Sequence, residues 1–157
     1  MLLTGTFNRL LDEKQRIAIP KRLRDAMKCI PRGVLYITPG TDRSLGIYSE
    51  DAFSQIADRM ALVSPARQDV RAFLRLFYAQ AQRVDLDRQG RLRIPLELVQ
   101  LARLDKEVVL LGVQNHLELW AADQWQQYFT DKQIHYDEIA EKAWEIRDRE
   151  QGTADRG

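Results

Sequence analysis

One motif occurs twice in this chain, first as Arg9-Leu-Leu-Asp-Glu-Lys-Gln-Arg-Ile-Ala-Ile-Pro20 and again as Val84-Asp-Leu-Asp-Arg-Gln-Gly-Arg-Leu-Arg-Ile-Pro95. The same offset separates Asp12 from Asp87 and Arg16 from Arg91. Self-similarity at a fixed offset indicates one supersecondary unit used twice. The chain therefore consists of two related copies.

Each copy of the motif is predicted to form a β-hairpin. In the second copy apolar residues alternate with polar ones on both sides of residues 87–90, which is the period-two pattern of half-buried strands. Gly90 ends the intervening turn, where a positive φ angle is expected. The first copy has Gln15 at this position. Either Gln15 adopts a left-handed conformation or the first turn differs from the second.

The rest of each copy completes a ββαββα unit. Pro20 and Pro95 are each predicted as the first residue of a short helix. Strands are predicted at 34–37, 45–48, 108–111 and 117–120, and helices at 49–62 and 123–129. Between the copies, Ser64 and Pro65 are predicted to cap and begin a linker helix that runs to about residue 82. A second long helix is predicted from about residue 126 to 149.

These elements predict five segments. They are a first repeat at 1–62, a linker helix at 63–82, a second repeat at 83–129, a C-terminal helical extension at 130–150 and a disordered tail at 151–157. Each repeat of about 50 residues would be marginal alone, so we expect the repeats to share one core.

The composition is that of an ordinary globular protein, with 157 residues of which 30% are charged and 45% hydrophobic. No apolar run reaches the ~20 residues that a membrane span needs, and no signal sequence is evident, so we expect a cytoplasmic protein. Cys29 is the single cysteine and follows no metal-ligand spacing with His116 or His135. It is predicted to be a buried thiol, and no metal site is expected.

The basic charge is concentrated on the repeated motif. Residues 8–28 carry seven basic side chains against three acidic ones, and residues 83–103 carry five against three. Residues 129–151 reverse the balance, with seven acidic side chains against four basic ones. A basic patch is typical of a protein that binds a polyanion, although charges on a surface turn can also be simply solvated.

The pattern Asp-x-x-x-Arg-x-x-x-Pro in both copies, with the opening Met1-Leu-Leu-Thr-Gly-Thr-Phe7, resembles the MraZ family of bacterial transcriptional regulators. It resembles the AbrB-type DNA-binding proteins more distantly. The resemblance covers residues 1–147 and implies an α+β fold, a swapped-hairpin, AbrB-like β-barrel built from two interleaved ββαββα repeats with a linker helix and a C-terminal helix. It also implies that several chains close into a ring, which binds short direct repeats in the promoter of the division and cell-wall gene cluster, usually as a repressor.

Two positions depart from the family pattern. Members commonly have glycine before the motif arginine, where the first copy has Gln15. They often have arginine four residues after the motif proline, which holds for Arg24 but not for Val99. The first copy is therefore expected to hold an anion better, and we favour Arg16 over Arg91 as the leading contact.

The motif supplies the candidate DNA contacts. Neutralised phosphates contribute most of the affinity for DNA, and a two-stranded β-ribbon fits the major groove, where arginine can bind guanine. The candidate DNA-binding residues are Arg16, Arg91, Lys14, Lys21, Arg22, Arg24, Arg88 and Arg93; the candidate turn residues are Asp12, Asp87, Gly90, Pro20 and Pro95. Within the basic set, Lys21, Arg22, Arg88 and Arg93, together with Arg9, could instead be simply solvated. Alternatively, the two Asp–Arg pairs close across their turns and only fix the turn shape.

The aromatic residues are predicted to be structural. Packing in the barrel core is favoured over base stacking for Tyr36, Tyr48, Trp120 and Trp125. The linker helix is expected to pack onto the barrel or an adjacent subunit through Val70, Phe73, Leu74, Phe77 and Tyr78.

The sequence predicts a regulator and not an enzyme. It lacks a phosphate-binding glycine loop, a nucleophile near a histidine, and a paired-carboxylate arrangement. The predicted function is a sequence-specific, nucleoid-associated DNA-binding repressor that acts on double-stranded DNA as a cyclic homo-oligomer without a cofactor. The alternative is a protein-interaction module or antitoxin-like scaffold whose basic hairpins dock an acidic protein.

Overall fold

A computed structural model describes residues 1–28 and 33–154, so Cys29 and its predicted burial lie outside the described residues. The chain forms two units, Met1–Ala122 and Asp123–Gly157. The elements are β1 (Thr6–Leu10), β2 (Arg16–Ala18), α1 (Lys21–Ala26), β3 (Val34–Pro39), β4 (Leu45–Ser49), α2 (Glu50–Ala61), α3 (Gln68–Gln80), β5 (Gln82–Asp85), β6 (Arg91–Arg93), α4 (Leu96–Leu101), β7 (Glu107–Val113), β8 (His116–Ala121), α5 (Ala122–Gln133) and α6 (Tyr136–Ala154). The predicted ββαββα order of both copies and the α+β class are confirmed.

Strand pairing interlocks the two repeats. Six antiparallel strands form a sheet in the order β1-β7-β8-β4-β3-β5, and β2 and β6 form a separate two-stranded ribbon. The first strand of each repeat pairs with a strand of the other repeat, because β1 pairs with β7 and β5 pairs with β3. The second strands, β2 and β6, pair with each other. Each repeat therefore depends on the other for the pairing of its first two strands.

The prediction that each motif forms a hairpin is wrong beyond the turn. The turn itself closes, since the Asp12 N–H donates to the Arg16 carbonyl and the Gln15 N–H donates to the Asp12 carbonyl, both at 3.0 Å. After the turn, β1 and β2 separate and each pairs with a strand of the second repeat. Period-two alternation identifies the buried face of a strand, but it does not identify the strand's partner.

The predicted closed barrel is not confirmed. The six-stranded sheet ends at β1 on one side and at β5 on the other, so within the described residues it is an open sheet.

One hydrophobic core joins the two repeats. It contains inward residues of four sheet strands, both ribbon strands and both short helices; they include Leu35, Ile37, Leu45, Ile47, Val108, Leu110, Leu117, Leu119, Ile17, Leu92, Leu23 and Leu98. Pro20 and Pro95 cap the short helices and are not their first helical residues, since their ψ angles of 139° and 140° are extended. The ring of each proline thus sets φ one residue before the helix begins.

The prediction that aromatic residues fill the barrel core is wrong for the sheet. Tyr36 and Tyr48 alternate with core residues along β3 and β4, so they point to the opposite face. There Tyr36 stacks on Phe53 of α2, with ring centroids 4.3 Å apart. Trp120 is buried on that same outer face, in register with Val109. Trp125 belongs to the second unit, where it stacks on Tyr128 with centroids 5.9 Å apart.

The long helices differ from prediction at their ends. The linker helix begins at Gln68, after a turn in which the Ser64 hydroxyl accepts a hydrogen bond from the Ala66 N–H. The predicted C-terminal helix is two helices, broken where the His135 N–H donates to the Lys132 carbonyl, an i to i+3 bond. Helix α6 continues to Ala154, past the predicted start of the tail, and residues 155–157 lie outside the described residues.

Truncation of the ribbon's core residue should destabilise the whole first unit. Leu92 is fully buried and lies opposite Ile17. We expect Leu92→Ala to lower the free energy of unfolding by about 2 to 5 kcal/mol, because it leaves a cavity between the repeats. Leu96→Ala, at a leucine that is 54% exposed, should change it by about 0.5 kcal/mol or less. Urea denaturation measures both, and equal effects would contradict a shared core.

Candidate nucleic-acid interface

Asp12 organises the first turn. Its Oδ1 atom accepts hydrogen bonds from the backbone N–H groups of Lys14, at 2.9 Å, and Arg16, at 2.8 Å. Its Oδ2 atom accepts a hydrogen bond from Arg16 Nε at 2.8 Å, which is also an ion pair. One carboxylate thus fixes both the backbone of the turn and the direction of the arginine side chain.

The second turn repeats this arrangement. Asp87 Oδ1 accepts from the N–H groups of Gln89 and Arg91 at 2.9 Å, and Oδ2 accepts from Arg91 Nε at 2.8 Å. Gly90 has the expected positive φ of 75°. Gln15 has φ 57°, so the first turn keeps the same shape by placing a non-glycine residue in the left-handed region.

These hydrogen bonds lower the pKa of both motif carboxyls from the ordinary value of 3.8. The largest cause is the backbone N–H of Arg16 for Asp12 and of Arg91 for Asp87. Desolvation raises each pKa, and the arginine side chain lowers it further. Both carboxyls are therefore ionised at neutral pH, as the Asp–Arg pairs across the turns require.

The β2–β6 ribbon collects arginines on one face. Its register places Arg16 opposite Arg93, Ile17 opposite Leu92 and Ala18 opposite Arg91. Ile17 and Leu92 point into the core, so the alternate residues point to the opposite side. We call Arg16, Arg91 and Arg93 on this side the arginine face.

The arginine face places like charges together. Arg16 and Arg93 are register partners, and like charges directly opposite each other destabilise a sheet. Asp12 offsets the charge of Arg16 but occupies only Nε. Within residues 1–28 and 33–154, the Nη groups of Arg16 and Arg91 donate to no protein atom. Because guanidinium has five N–H donors, this face can bind an anion without giving up the turn geometry.

Further cations lie near the two turns. Arg9 Nε donates to the carbonyl of Ala18, the register partner of Arg91, at 3.1 Å. Arg24 Nε donates to the carbonyl of Ile19 at 3.0 Å. The turn residues Lys14 and Arg88 are exposed, one in each turn.

Two other candidates lie on or before α1. Arg22 packs over the Phe7 ring, 5.5 Å from its centroid, and donates to the Thr4 carbonyl at 3.3 Å. It is thereby tied to the N-terminal segment and not to a motif turn. Lys21 is exposed at the first position of α1.

Sequence reasoning missed the apposition of Arg16 with Arg93. That apposition follows from pairing between the repeats, which no local pattern shows. The available signal was the alternation of side chains along each strand, because Arg16, Arg91 and Arg93 all flank the apolar positions that face the core. This alternation places the three arginines on the side away from the core, but only the strand register makes two of them neighbours.

Neither a metal centre nor a membrane span is found in the described chain. Within residues 1–28 and 33–154, no group of three or more His, Cys, Asp or Glu side chains could hold a metal ion. No helix in the same ranges is long and apolar enough to cross a bilayer.

Comparison with known proteins matches the duplication. The family model described as "MraZ protein, putative antitoxin-like" matches this chain twice, over residues 2–76 and 77–146. The chain belongs to the MraZ family. The boundary between the two MraZ matches falls within α3, the linker helix.

MraZ relatives are similar over most of their length. The protein named transcriptional regulator MraZ of Alkaliphilus metalliredigens is 39% identical over 142 residues, which cover 90% of this chain and 96% of that relative. Those of Alkaliphilus oremlandii and Moorella thermoacetica are each 36% identical, covering 90% and 88% of this chain and 96% and 94% of the relatives. The family is one of regulators and not of enzymes, in agreement with the prediction.

The lowered carboxyl pKa values predict a specific loss of stability in acid. An unfolded aspartate titrates near pH ~3.9, above the folded value, so the stabilisation is complete above about pH 5 and is lost as the pH falls through and below about 4. The double substitution Asp12→Asn and Asp87→Asn should flatten this acid limb of the free energy of unfolding. Urea denaturation at a series of pH values measures it. The exposed turn residue Glu13 provides the control Glu13→Gln, and an equal flattening there would contradict the assignment.

Proposed function

We propose that this protein regulates transcription by binding double-stranded DNA through the arginine face. The names of its relatives support a regulator of transcription. The observation that carries the DNA contact is the ribbon itself, which holds Arg16, Arg91 and Arg93 on one side of two paired strands. Aspartates hold two of these arginines through Nε. Within the described residues their Nη groups donate to no protein atom, so these groups can bind a partner.

The ribbon suits the major groove. A two-stranded β-ribbon can enter that groove, and an arginine there can donate to both O6 and N7 of guanine. Asp12 and Asp87 orient the side chains of Arg16 and Arg91 in advance, which reduces the conformational entropy lost on binding. Arg93, Lys14 and Arg88 add positive charge for phosphate contacts. In this arrangement the aspartates fix the shape of the turns and the arginines contact DNA.

The finer proposal follows from the family resemblance. It comprises sequence-specific binding to short direct repeats in the promoter of the division and cell-wall gene cluster, and repression by occlusion of polymerase. A cyclic assembly supports repeated sites, because identical ribbons recur around the ring and weak single contacts add through effective concentration.

An exposed apolar surface supports self-assembly. Helix α3 leaves Phe73 52% exposed and Leu76 63% exposed, and Leu62 at the end of α2 is 87% exposed. Only Phe77 of the predicted apolar stripe is buried. We assign the exposed apolar residues of α3, Phe73 and Leu76, here called the α3 surface, to contact with a second copy in the ring.

We also propose that the chain forms a swapped-hairpin barrel. Both first strands are exchanged between the repeats, and the β2–β6 ribbon shares the core with the six-stranded sheet. These two features support a barrel in which the ribbon closes the open sheet.

A second candidate function is an interaction module or antitoxin-like scaffold. The family description includes the word antitoxin-like, and the arginine face could dock an acidic protein by charge alone. DNA binding predicts a dependence on nucleotide sequence and on repeat number, whereas docking to protein predicts neither.

Arg16→Ala and Arg91→Ala should each weaken binding to DNA from upstream of the protein's own gene cluster by roughly tenfold or more, the cost of one lost arginine contact. Fluorescence anisotropy with a labelled duplex carrying several copies of the repeat measures this in a salt series. Arg147→Ala on α6 removes the same charge outside the arginine face and should leave affinity unchanged.

Three outcomes would contradict these proposals. Equal affinity for a scrambled duplex would contradict sequence specificity, and no affinity for any duplex would contradict DNA binding. A loss in Arg147→Ala equal to that in Arg16→Ala would show that net charge and not the arginine face controls binding.

Leu76→Glu should dissociate the homo-oligomer, because a carboxylate would then be buried at the α3 surface. Mass photometry of the full chain measures the assembly. Leu96→Glu, at an exposed leucine on α4, is the matched control and should leave it intact. Unchanged assembly in Leu76→Glu would exclude this surface as the subunit contact.

A further inference from the structure

Arg24 reaches from the first repeat to the turn of the second. Its Nε atom donates to the carbonyl of Ile19 at 3.0 Å, and its guanidinium lies over Gly90. A Cβ atom placed on Gly90 would lie 2.6 Å from Arg24 Cζ and 2.8 Å from Nε and Nη1. The guanidinium therefore occupies the space that any side chain at position 90 would need.

Backbone hydrogen bonds fix the same junction. The Ile19 N–H donates to the Gly90 carbonyl at 3.1 Å, while the Ile19 carbonyl accepts from Arg24. Ile19 thus holds both the second turn and the side chain that covers it. Arg91, the motif arginine of that turn, follows Gly90 directly.

At the equivalent junction of the first turn, the turn residue has a long side chain and the helix residue has a short one. The Ile94 N–H donates to the Gln15 carbonyl at 2.8 Å, as Ile19 does to Gly90. Position 15 has a side chain where position 90 has none, and Val99 is short where Arg24 is long. Gln15 and Val99 both line an open cleft of about 630 Å³ beside the first turn. The long side chain is supplied by the turn in one junction and by the helix in the other.

We infer that Arg24 is a positioning residue for the second turn and not a DNA contact. Residues 24 and 90 form one matched pair, and residues 99 and 15 form the other, so each departure from the family pattern compensates for its partner across the repeats. Arg24 also brings a positive charge of the first repeat to the turn that carries Arg91. Its effect on DNA binding rests on the proposed function, but its effect on the turn does not.

The effect on the turn is tested without DNA, by amide hydrogen exchange in the full chain. Arg24→Val should speed exchange in the second turn, residues 87–91, and leave the first turn, residues 12–16, unchanged. Gly90→Gln should do the same, because its side chain displaces Arg24 and its backbone must keep a positive φ of 75°. The double variant Arg24→Val with Gly90→Gln reproduces the pair found at the first turn, so exchange should return toward the wild-type rate.

Two results of the hydrogen-exchange experiment would overturn the inference. One is faster exchange at both turns alike in Arg24→Val, which would indicate general destabilisation. The other is an additive effect in the double variant, which would show that residues 24 and 90 act independently. Arg24→Lys keeps the charge but lacks the Nε donor to Ile19, so it should behave like Arg24→Val.

The effect on DNA is tested by a double-mutant cycle with the labelled repeat duplex. Arg24→Val should weaken binding by up to roughly tenfold, the range for one arginine, and should add little to Arg91→Ala. It should add in full to Arg16→Ala, because no hydrogen bond or ion pair joins Arg24 to residues 12–16 in the described chain. Full additivity with Arg91→Ala would show instead that Arg24 binds DNA directly. If the wild-type protein binds no DNA, the proposed function fails while the exchange result still decides the role of Arg24.

Discussion

The fold depends on hydrogen bonds between the repeats. In the described chain, β1 and β5 pair with strands of the opposite repeat, and β2 and β6 pair with each other. Neither copy can satisfy the backbone of its first two strands alone, and unsatisfied buried backbone groups are costly. This one constraint explains the single core, the short helices packed on it, and the position of both motif arginines on one ribbon.

Local patterns in the sequence predicted the elements but not their partners. Short apolar runs bounded by turn residues located β3, β4, β7 and β8, because such a run is a property of a single strand. The alternation in the motif itself cannot distinguish a hairpin from strands that pair across repeats. The apolar neighbours of Tyr36 and Tyr48 indicated that these residues are packed, but their expected place in the barrel core is on the wrong face of the sheet. Which face is the core depends on the topology.

The candidate site shows the same division. The turn geometry of Asp12 and Arg16 follows from residues close in the chain, and it could be expected from the motif. The apposition of Arg16 with Arg93 and the contact of Arg24 with Gly90 join residues from different repeats. Each residue alone has an ordinary local explanation. Their grouping into one site becomes visible only when the strand register is known.

The antiparallel ribbon has a consequence for the symmetry of any DNA site that it could bind. Two equivalent strands of opposite sense are related by an approximate two-fold axis, and a DNA-binding surface with that symmetry matches a palindrome. A direct repeat has two distinguishable orientations, and a perfectly symmetric surface could not distinguish them. The unequal turns, one with Gln15 and one with Gly90, remove that symmetry. Fusion of two copies into one chain thus lets the halves diverge, so that the two ends of the ribbon are no longer equivalent.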